Sequence, residues 1–308
     1  MINSQPKVSV IIVNYNGTKD TLECLKSLEK LLYENYEIII VDNNSIESEK
    51  KLLETIMGQT KISLIFNNSN KGFAGGNNVG IQKAVENNAE FILLLNNDTI
   101  VKPNFLTELI NKCSVSSQIG ILTPKILYYS NPDLIWSAGG NISKIRSSGF
   151  PSCYEKKSDS CNSDKFCSFA TGCCMLIRKE VINKIGLLDE NYFLYLEDTD
   201  YSVRAIKAGF KIYYVSSSVI YHKVNAATAK DNYYLPLYYS IRNRLYFARN
   251  HLRFYYYTFL FYLLITLVIK IIFSNNKNNL FHICKMAIID FLKDRMGYCL
   301  NLESPNSK

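Results

Sequence analysis

Apolar residues in the first hundred positions come in short unbroken runs separated by helical patterns. Lys7–Asn14 (KVSVIIVN), Glu37–Asp42 (EIIIVD), Lys61–Phe66 (KISLIF) and Glu90–Leu95 (EFILLL) are continuous rather than alternating, as in strands buried on both faces. Between them, Leu22, Leu25 and Leu28 recur at helical spacing within Thr18–Leu32, and Ser45–Met57 and Asn77–Asn88 are shorter helix candidates. The order βαβαβαβ predicts an α/β fold: a Rossmann-like, mostly parallel sheet with flanking helices. Ligands of such sheets sit beyond the carboxyl ends of the strands. That points to Asn14–Tyr15–Asn16, Asp42–Asn43–Asn44, the segment after Phe66, and Asn96–Asn97–Asp98.

Further along, Pro103–Cys113 reads as a helix and Gly139 to Lys165 as a Gly/Ser/Lys-rich excursion. Phe166–Arg178 is an apolar strand interrupted at Thr171–Gly172, and Lys179–Ile185 is a short helix. Asp189–Asp200 mixes aromatics with acids ahead of a helix ended by Gly209, and Lys211–Val215 and Val219–His222 are strand candidates. From Tyr233 the chain turns to Tyr, Arg, Phe and Leu. We expect a catalytic domain over residues 1–228, made of a nucleotide-binding half (about 1–102) and an acceptor half (about 103–228), with a basic, apolar helical region over 229–308.

Charge sharpens that division. Residues 223–308 hold 12 basic and 4 acidic side chains, the whole of the chain's net +8. This quarter is too apolar for a nucleic-acid surface and suits anionic lipid. The nine cysteines are an odd number, and the N-terminus lacks a signal-peptide pattern, which predicts a reduced, cytosolic compartment. The spacings of Cys153, Cys161 and Cys167 fit no CxxC zinc pattern, so free thiols are expected.

Several strand ends offer chemistry. Asp42 followed by two Asn suits an Asx turn or helix cap, and equally a carboxylate accepting hydrogen bonds from a base or ribose. Asn70–Gly80 (NKGFAGGNNVG) has four glycines before a helix, giving amides that can approach phosphate; a tight turn is the plainer use. Asp98 can hold Mg²⁺ or Mn²⁺ against a diphosphate, although an ordinary turn looks the same. Asp198 and Asp200 lie two positions apart, about 200° around a helix, so at most one faces a given cleft. The helix dipole favours the carboxylate, whereas burial raises its pKa; sequence leaves the sign open. His222 closes VIYH, where a packed core histidine is the plain alternative.

In order, VSVIIVNYNG, IIIVDNNS, NKGFAGGNNVG, LLLNND, the stretch ATGCCMLIRKEVINKIGLLDENYFLYLEDTDYSVRAIKAGFKIYYV, VIYH and YYSIRN resemble the inverting family 2 glycosyltransferases of GT-A type. The rhamnosyltransferase-like branch is the most similar. The resemblance implies that Asn14 and Asp42 contact the nucleoside, Gly75 and Gly76 lie on the diphosphate side, and Asn96 and Asp98 occupy the DxD place with Asp98 on the metal. It further implies Asp198 as catalytic base and His222 as a second metal ligand. Asn96 is neutral where the familiar motif has Asp, which weakens metal binding.

The implied reaction moves a sugar, rhamnose being the one the branch suggests, from a nucleotide-diphosphate donor to a lipid-linked (polyprenyl) or growing glycan acceptor with inversion. Nucleotidyl transfer would need a basic phosphate-activating loop that Asn14–Tyr15–Asn16–Gly17 lacks. An inactive nucleotide-sugar-binding scaffold would not need Asp98, Asp198 and His222 together. Phe254–Ile269 is uncharged, preceded by Arg242, Arg244, Arg249 and Arg253 and opened by Tyr255–Tyr257, as at a cytoplasmic membrane interface. Leu280–Met296 is a second amphipathic helix. The expected place is the cytoplasmic face of the cell membrane, peripheral or monotopic, with a single span or a homodimer contact as the other uses of these residues.

Overall fold

The computed structural model describes residues 5–224 and 234–299. Parallel strands β1 (Val8–Asn14), β2 (Tyr36–Asp42), β3 (Ile62–Phe66) and β4 (Phe91–Leu95) coincide with the four apolar runs and stand in the order β4-β1-β2-β3. Helices α1 (Thr18–Leu28), α2 (Glu47–Glu54) and α3 (Gly72–Glu86) connect them. Leu25, Leu28 and Leu53 of α1 and α2 pack with Val8, Val10 and Ile12 on one face of the sheet. Ala74, Ile81 and Ala84 of α3 pack with Ile11, Ile39 and Val41 on the other. Both faces are covered, which is why β1 and β2 tolerate unbroken apolar sequence.

The sheet continues through β5 (Thr99–Val101), β6 (Ile119–Tyr128), β7 (Ile135–Ala138), β10 (Lys165–Cys167), β11 (Cys174–Arg178) and β12 (Lys211–His222), with β8 (Gly140–Ser143) and β9 (Ser148–Pro151) forming a separate hairpin. Strand β11 runs antiparallel between β4 and β6, and β12 lies parallel to β6. The two short strands expected over Lys211–His222 are one strand with an irregular register between Val215 and Val219. Strand β6 is not evident in the sequence, since Thr123, Pro124 and Lys125 break its apolar run. Lys125 is nevertheless buried, because its ammonium donates to the carbonyls of Ser158 and Ser160. Helices α4 (Phe105–Lys112), α5 (Lys179–Ile185) and α6 (Glu197–Lys207) complete the layers.

Two expectations are corrected. Cys153 and Cys161 are joined in a disulfide. The excursion folds back around Lys125 and places both in one apolar cluster, a proximity that spacing does not reveal. The thiols of Cys24 and Cys113 are buried and pushed up to about 12 by that burial. The glycine stretch, expected as a loop ahead of Asn77, is itself helical from Gly72. A Cβ on Gly76 would stand 2.8 Å from Val13 Cγ1, and one on Gly80 would collide with Ile11. Close approach of α3 to β1 therefore outweighs the roughly 1 kcal/mol that each helical glycine costs.

Helices α7 (Tyr234–His251), α8 (Tyr256–Ile272) and α9 (Lys277–Leu292) share one apolar cluster with Tyr192, Phe193 and Leu196. The boundary expected at 228/229 lies outside the described residues. Among the described residues, Arg253–Ile272 is the one helical stretch long and apolar enough to cross a membrane by length and composition. Phe259, Leu263 and Leu267 face inward, while Phe254, Tyr257 and Phe273 are 95%, 81% and 82% exposed.

Candidate functional site

Strand register gathers the candidate residues. Asn14 stands opposite Asp42, and Cys174 opposite Leu95, so Asn96–Asp98 leaves the sheet beside Gly172–Cys173. Pairing of β5 with β12 sets His222 against Thr99.

Asn14 and Asp42 are fully buried and hydrogen-bonded to each other, Nδ2 to Oδ1 at 2.9 Å. Asp42 also accepts from the Ser45 amide (3.0 Å) and hydroxyl (2.6 Å), and Asn14 Oδ1 accepts from Thr21 at 2.8 Å. The carboxylate thus closes an Asx turn, and the polar ends of β1 and β2 are satisfied internally. Tyr15, half exposed just beyond β1, is the open group there. In the first turn of α3, the space above Gly75 is closed by Lys71 Cβ and the Glu190 carboxylate, and that above Gly76 by Val13.

Asn97 is spent on Gly17 O and Thr21, while Asn96 is half-buried at the strand end. Asp98 Oδ1 and His222 Nε2 are 3.1 Å apart. Buried Asp98 Oδ1 nevertheless accepts no hydrogen bond, and His222 Nδ1 also lacks a partner. Trp136 packs edge-on against the imidazole at 4.6 Å. An oxygen and a nitrogen so placed fit neighbouring positions around one divalent cation. Among the described residues no group of three His, Cys, Asp or Glu forms a protein-only metal cluster.

Asp198 opens α6. Its Oδ2 accepts from the Gly172 amide at 3.0 Å, and its Oδ1 from the Thr199 amide at 2.6 Å and hydroxyl at 3.2 Å. A side chain on Gly172 would crowd Phe73 at 3.0 Å and approach Asp198 Cβ at 3.6 Å, so glycine lets that amide reach the carboxylate. Burial pushes Asp198 up, and these hydrogen bonds only partly oppose it. Burial, then the charge of Asp198, raises Glu197 well above its ordinary value, and Glu197 Oε2 lacks a partner. Asp200 differs: burial would raise it, but His251 and Arg204, each 2.6 Å away, hold it below the usual range. A cleft of about 440 Å³ lies over Asp198, lined also by Ser148, Phe169, Tyr195 and, from α7, Pro236 and Ser240. Neither Gly172 nor Thr199 stands out in the sequence, although Thr171–Gly172 breaks an apolar strand.

This mixed sheet, with polar strand ends facing an acid at the head of α6, defines an α/β fold of GT-A type. Residues 9–186 match glycosyl transferase family 2, and the chain belongs to that family. It is 30% identical over 206 residues to the low-salt glycan biosynthesis hexosyltransferase Agl10 of Haloferax volcanii, covering 67% of this chain and 63% of that protein. To the dTDP-rhamnosyl transferase RfbF of Shigella flexneri it is 23% identical over 257 residues, covering 79% and 81%. The match thus spans less than two thirds of the first relative's length. The structure of the mannosyltransferase PcManGT from Pyrobaculum calidifontis, in complex with GDP-Man and Mn²⁺, superposes with a TM-score of 0.60 at 12% identity, covering 95% of this chain and 89% of that one. That likeness is one of fold.

Proposed function

We propose that the chain is an inverting glycosyltransferase that moves a sugar, rhamnose or a related hexose, from a nucleoside-diphosphate donor to a lipid-linked or growing glycan acceptor at the cytoplasmic face of a membrane. One observation carries this reading. Gly172–Cys173 joins the two chemical centres, the Gly172 amide on Asp198 and the Cys173 carbonyl on the Asn96 amide at 2.9 Å. A carboxyl with raised proton affinity thereby stands beside the strand end that carries Asp98.

The acceptor enters the cleft above Asp198. Its hydroxyl oxygen attacks the anomeric carbon while Asp198 takes the hydroxyl proton, and the nucleoside diphosphate departs from the opposite face, which inverts the centre. A diphosphate leaves without protonation, so one carboxyl suffices. Asn14 and Asp42 fix the floor of the nucleoside side, with Tyr15 above it, and Asn96 and the glycine turn at Gly75 and Gly76 border the diphosphate. Asp98 and His222 would hold Mg²⁺ or Mn²⁺, which when bound supplies Lewis-acid neutralisation of the leaving charge. The exposed face of α8 supports a membrane location. At about 25 Å this helix is short of the roughly 30 Å hydrocarbon core, which suits an interfacial position.

A panel of nucleoside-diphosphate sugars tested for thermal stabilisation, then for transfer to polyprenyl-linked acceptors, checks the proposal. One donor class should raise Tm and yield product of inverted configuration. Retention, or release of nucleoside monophosphate in place of diphosphate, overturns it.

A further inference from the structure

The segment leading into Asp198 has an improbable backbone. Leu194 N donates to Tyr192 O at 2.6 Å across Phe193, whose φ of 58° and ψ of −58° form a γ-turn of the rare, strained hand. Tyr195 and Leu196 follow at φ 69° and 72°. Three of the four residues 193–196 thus hold backbone that favours glycine, yet none is glycine. Such conformations persist only when the surroundings over-determine them.

The restraint comes from α7. Asn243, wholly buried, donates from Nδ2 to the carbonyls of Tyr192, Leu194 and Tyr195 at 2.7, 2.8 and 2.9 Å. Two N–H bonds are shared among three acceptors that converge only because the chain is wound this way. Arg242 Nε donates to Asn243 Oδ1 at 3.1 Å, which fixes the direction of the amide. The Arg242 guanidinium also donates to the carbonyls of Asn191, Tyr192 and Gly297. On the far side, the Phe193 carbonyl accepts from the Phe73 amide at 2.7 Å, and Gly72 lacks the side chain that would strike that carbonyl.

We propose that Asn243 is a positioning residue: it clamps the strained 192–196 turn so that Asp198 faces the acceptor. This rests on the reading of Asp198 as base. The side chain stays out of the cleft and acts through the main chain two to six residues ahead of the carboxyl. Asn243→Asp, of nearly the same shape, would aim an oxygen at three carbonyl oxygens and undo the clamp.

Steady-state kinetics on the full chain, with nucleotide binding and melting as checks of folding, tests this. Asn243→Ala should lower kcat roughly 10- to 100-fold, as for misplaced catalytic groups, with donor KM within about twofold; Asn243→Asp should lose at least as much. The loss should shrink when Tyr195→Gly is combined with Asn243→Ala, since glycine accepts the backbone without restraint. A merely structural amide would cost the same factor in both backgrounds, and that result overturns the proposal. Asn243→Ser, which keeps one donor, replaces the alanine variant if that does not fold: a smaller kcat loss supports the clamp and full kcat overturns it. An inactive Asp198→Asn beside a fully active Asn243→Ala sinks the clamp alone, whereas an active Asp198→Asn sinks the base and the clamp together.

Discussion

Asp98 Oδ1 and His222 Nε2 lie 3.1 Å apart without a hydrogen bond to that oxygen, although 124 positions separate them in sequence. The spacing suits adjacent ligands whose bonds are each about 2.1 Å. Chelator should abolish transfer and Mn²⁺ or Mg²⁺ restore it, and His222→Ala should weaken Mn²⁺ binding in the presence of nucleoside diphosphate, measured calorimetrically. Undiminished transfer in excess chelator rules this pair out as a metal site.

Asp198→Asn keeps the shape of the carboxyl and removes its basicity. The rate should fall by about 10²-fold or more, with donor affinity close to that of the unaltered protein in a direct binding assay. Wild-type turnover from this variant contradicts the assignment.

The same carboxyl opposes folding near neutrality. Asp198 and Glu197 both titrate above their ordinary values of 3.8 and 4.5, so the folded chain binds more protons than the unfolded one. Their contribution is favourable below the ordinary values and is lost as pH rises through the raised ones. Glu197→Gln, whose Oε2 has no partner to lose, should therefore raise Tm at pH 7 and flatten its fall above about pH 4; melting curves across pH decide, and a lowered Tm at pH 7 would refute the sign.

Asp200 carries the opposite sign. Its carboxyl is held low by His251 and Arg204, so its stabilisation is present above 3.8 and disappears as pH falls through the lower native value. Asp200→Asn should cost about 2 kcal/mol in denaturant titration at pH 7. Most of kcat should remain in the folded fraction, because this side chain faces away from the cleft.

Full-length protein should bind anionic vesicles, with each well-placed Lys or Arg contributing about 1 kcal/mol that salt weakens and the apolar face of α8 adding a salt-resistant part. Phe254→Ser, Tyr257→Ser and Phe273→Ser together should release it from vesicles without altering its melting. Concentration-dependent dimerisation that this triple change abolishes, with no vesicle binding by the parent, would assign the face to a second copy instead.

The parallel half of the sheet was readable because strands covered on both faces need no polar alternation, as β1 and β4 illustrate. Asp98, Asp198 and His222 were legible as candidates, being polar residues at the ends of apolar runs. What escaped depends on contacts distant in sequence. The start of α3 is misread because glycine signals a turn locally, while here Ile11, Val13 and the Phe193 carbonyl claim the missing side chains. Strand β6 was hidden by Lys125, whose carbonyl partners lie more than thirty positions away. Asn243 gave no signal beyond the motif YYSIRN, since its purpose depends on dihedral angles that no residue from Phe193 to Leu196 advertises.

The reach of Asn243, 48 to 51 residues back along the chain, orders the birth of the enzyme. A growing polypeptide that has emerged through β12 possesses β1 to β12, the paired Asp98 and His222, and Asp198 itself, but neither Arg242 nor Asn243. Chains fold from the N-terminus during synthesis, so the acid-bearing turn is fastened only after the sheet, by the same helix that leads into the apolar α8. Under the proposed function, a chain whose α7 has not yet docked carries Asp198 without its clamp and turns over slowly, as Asn243→Ala should.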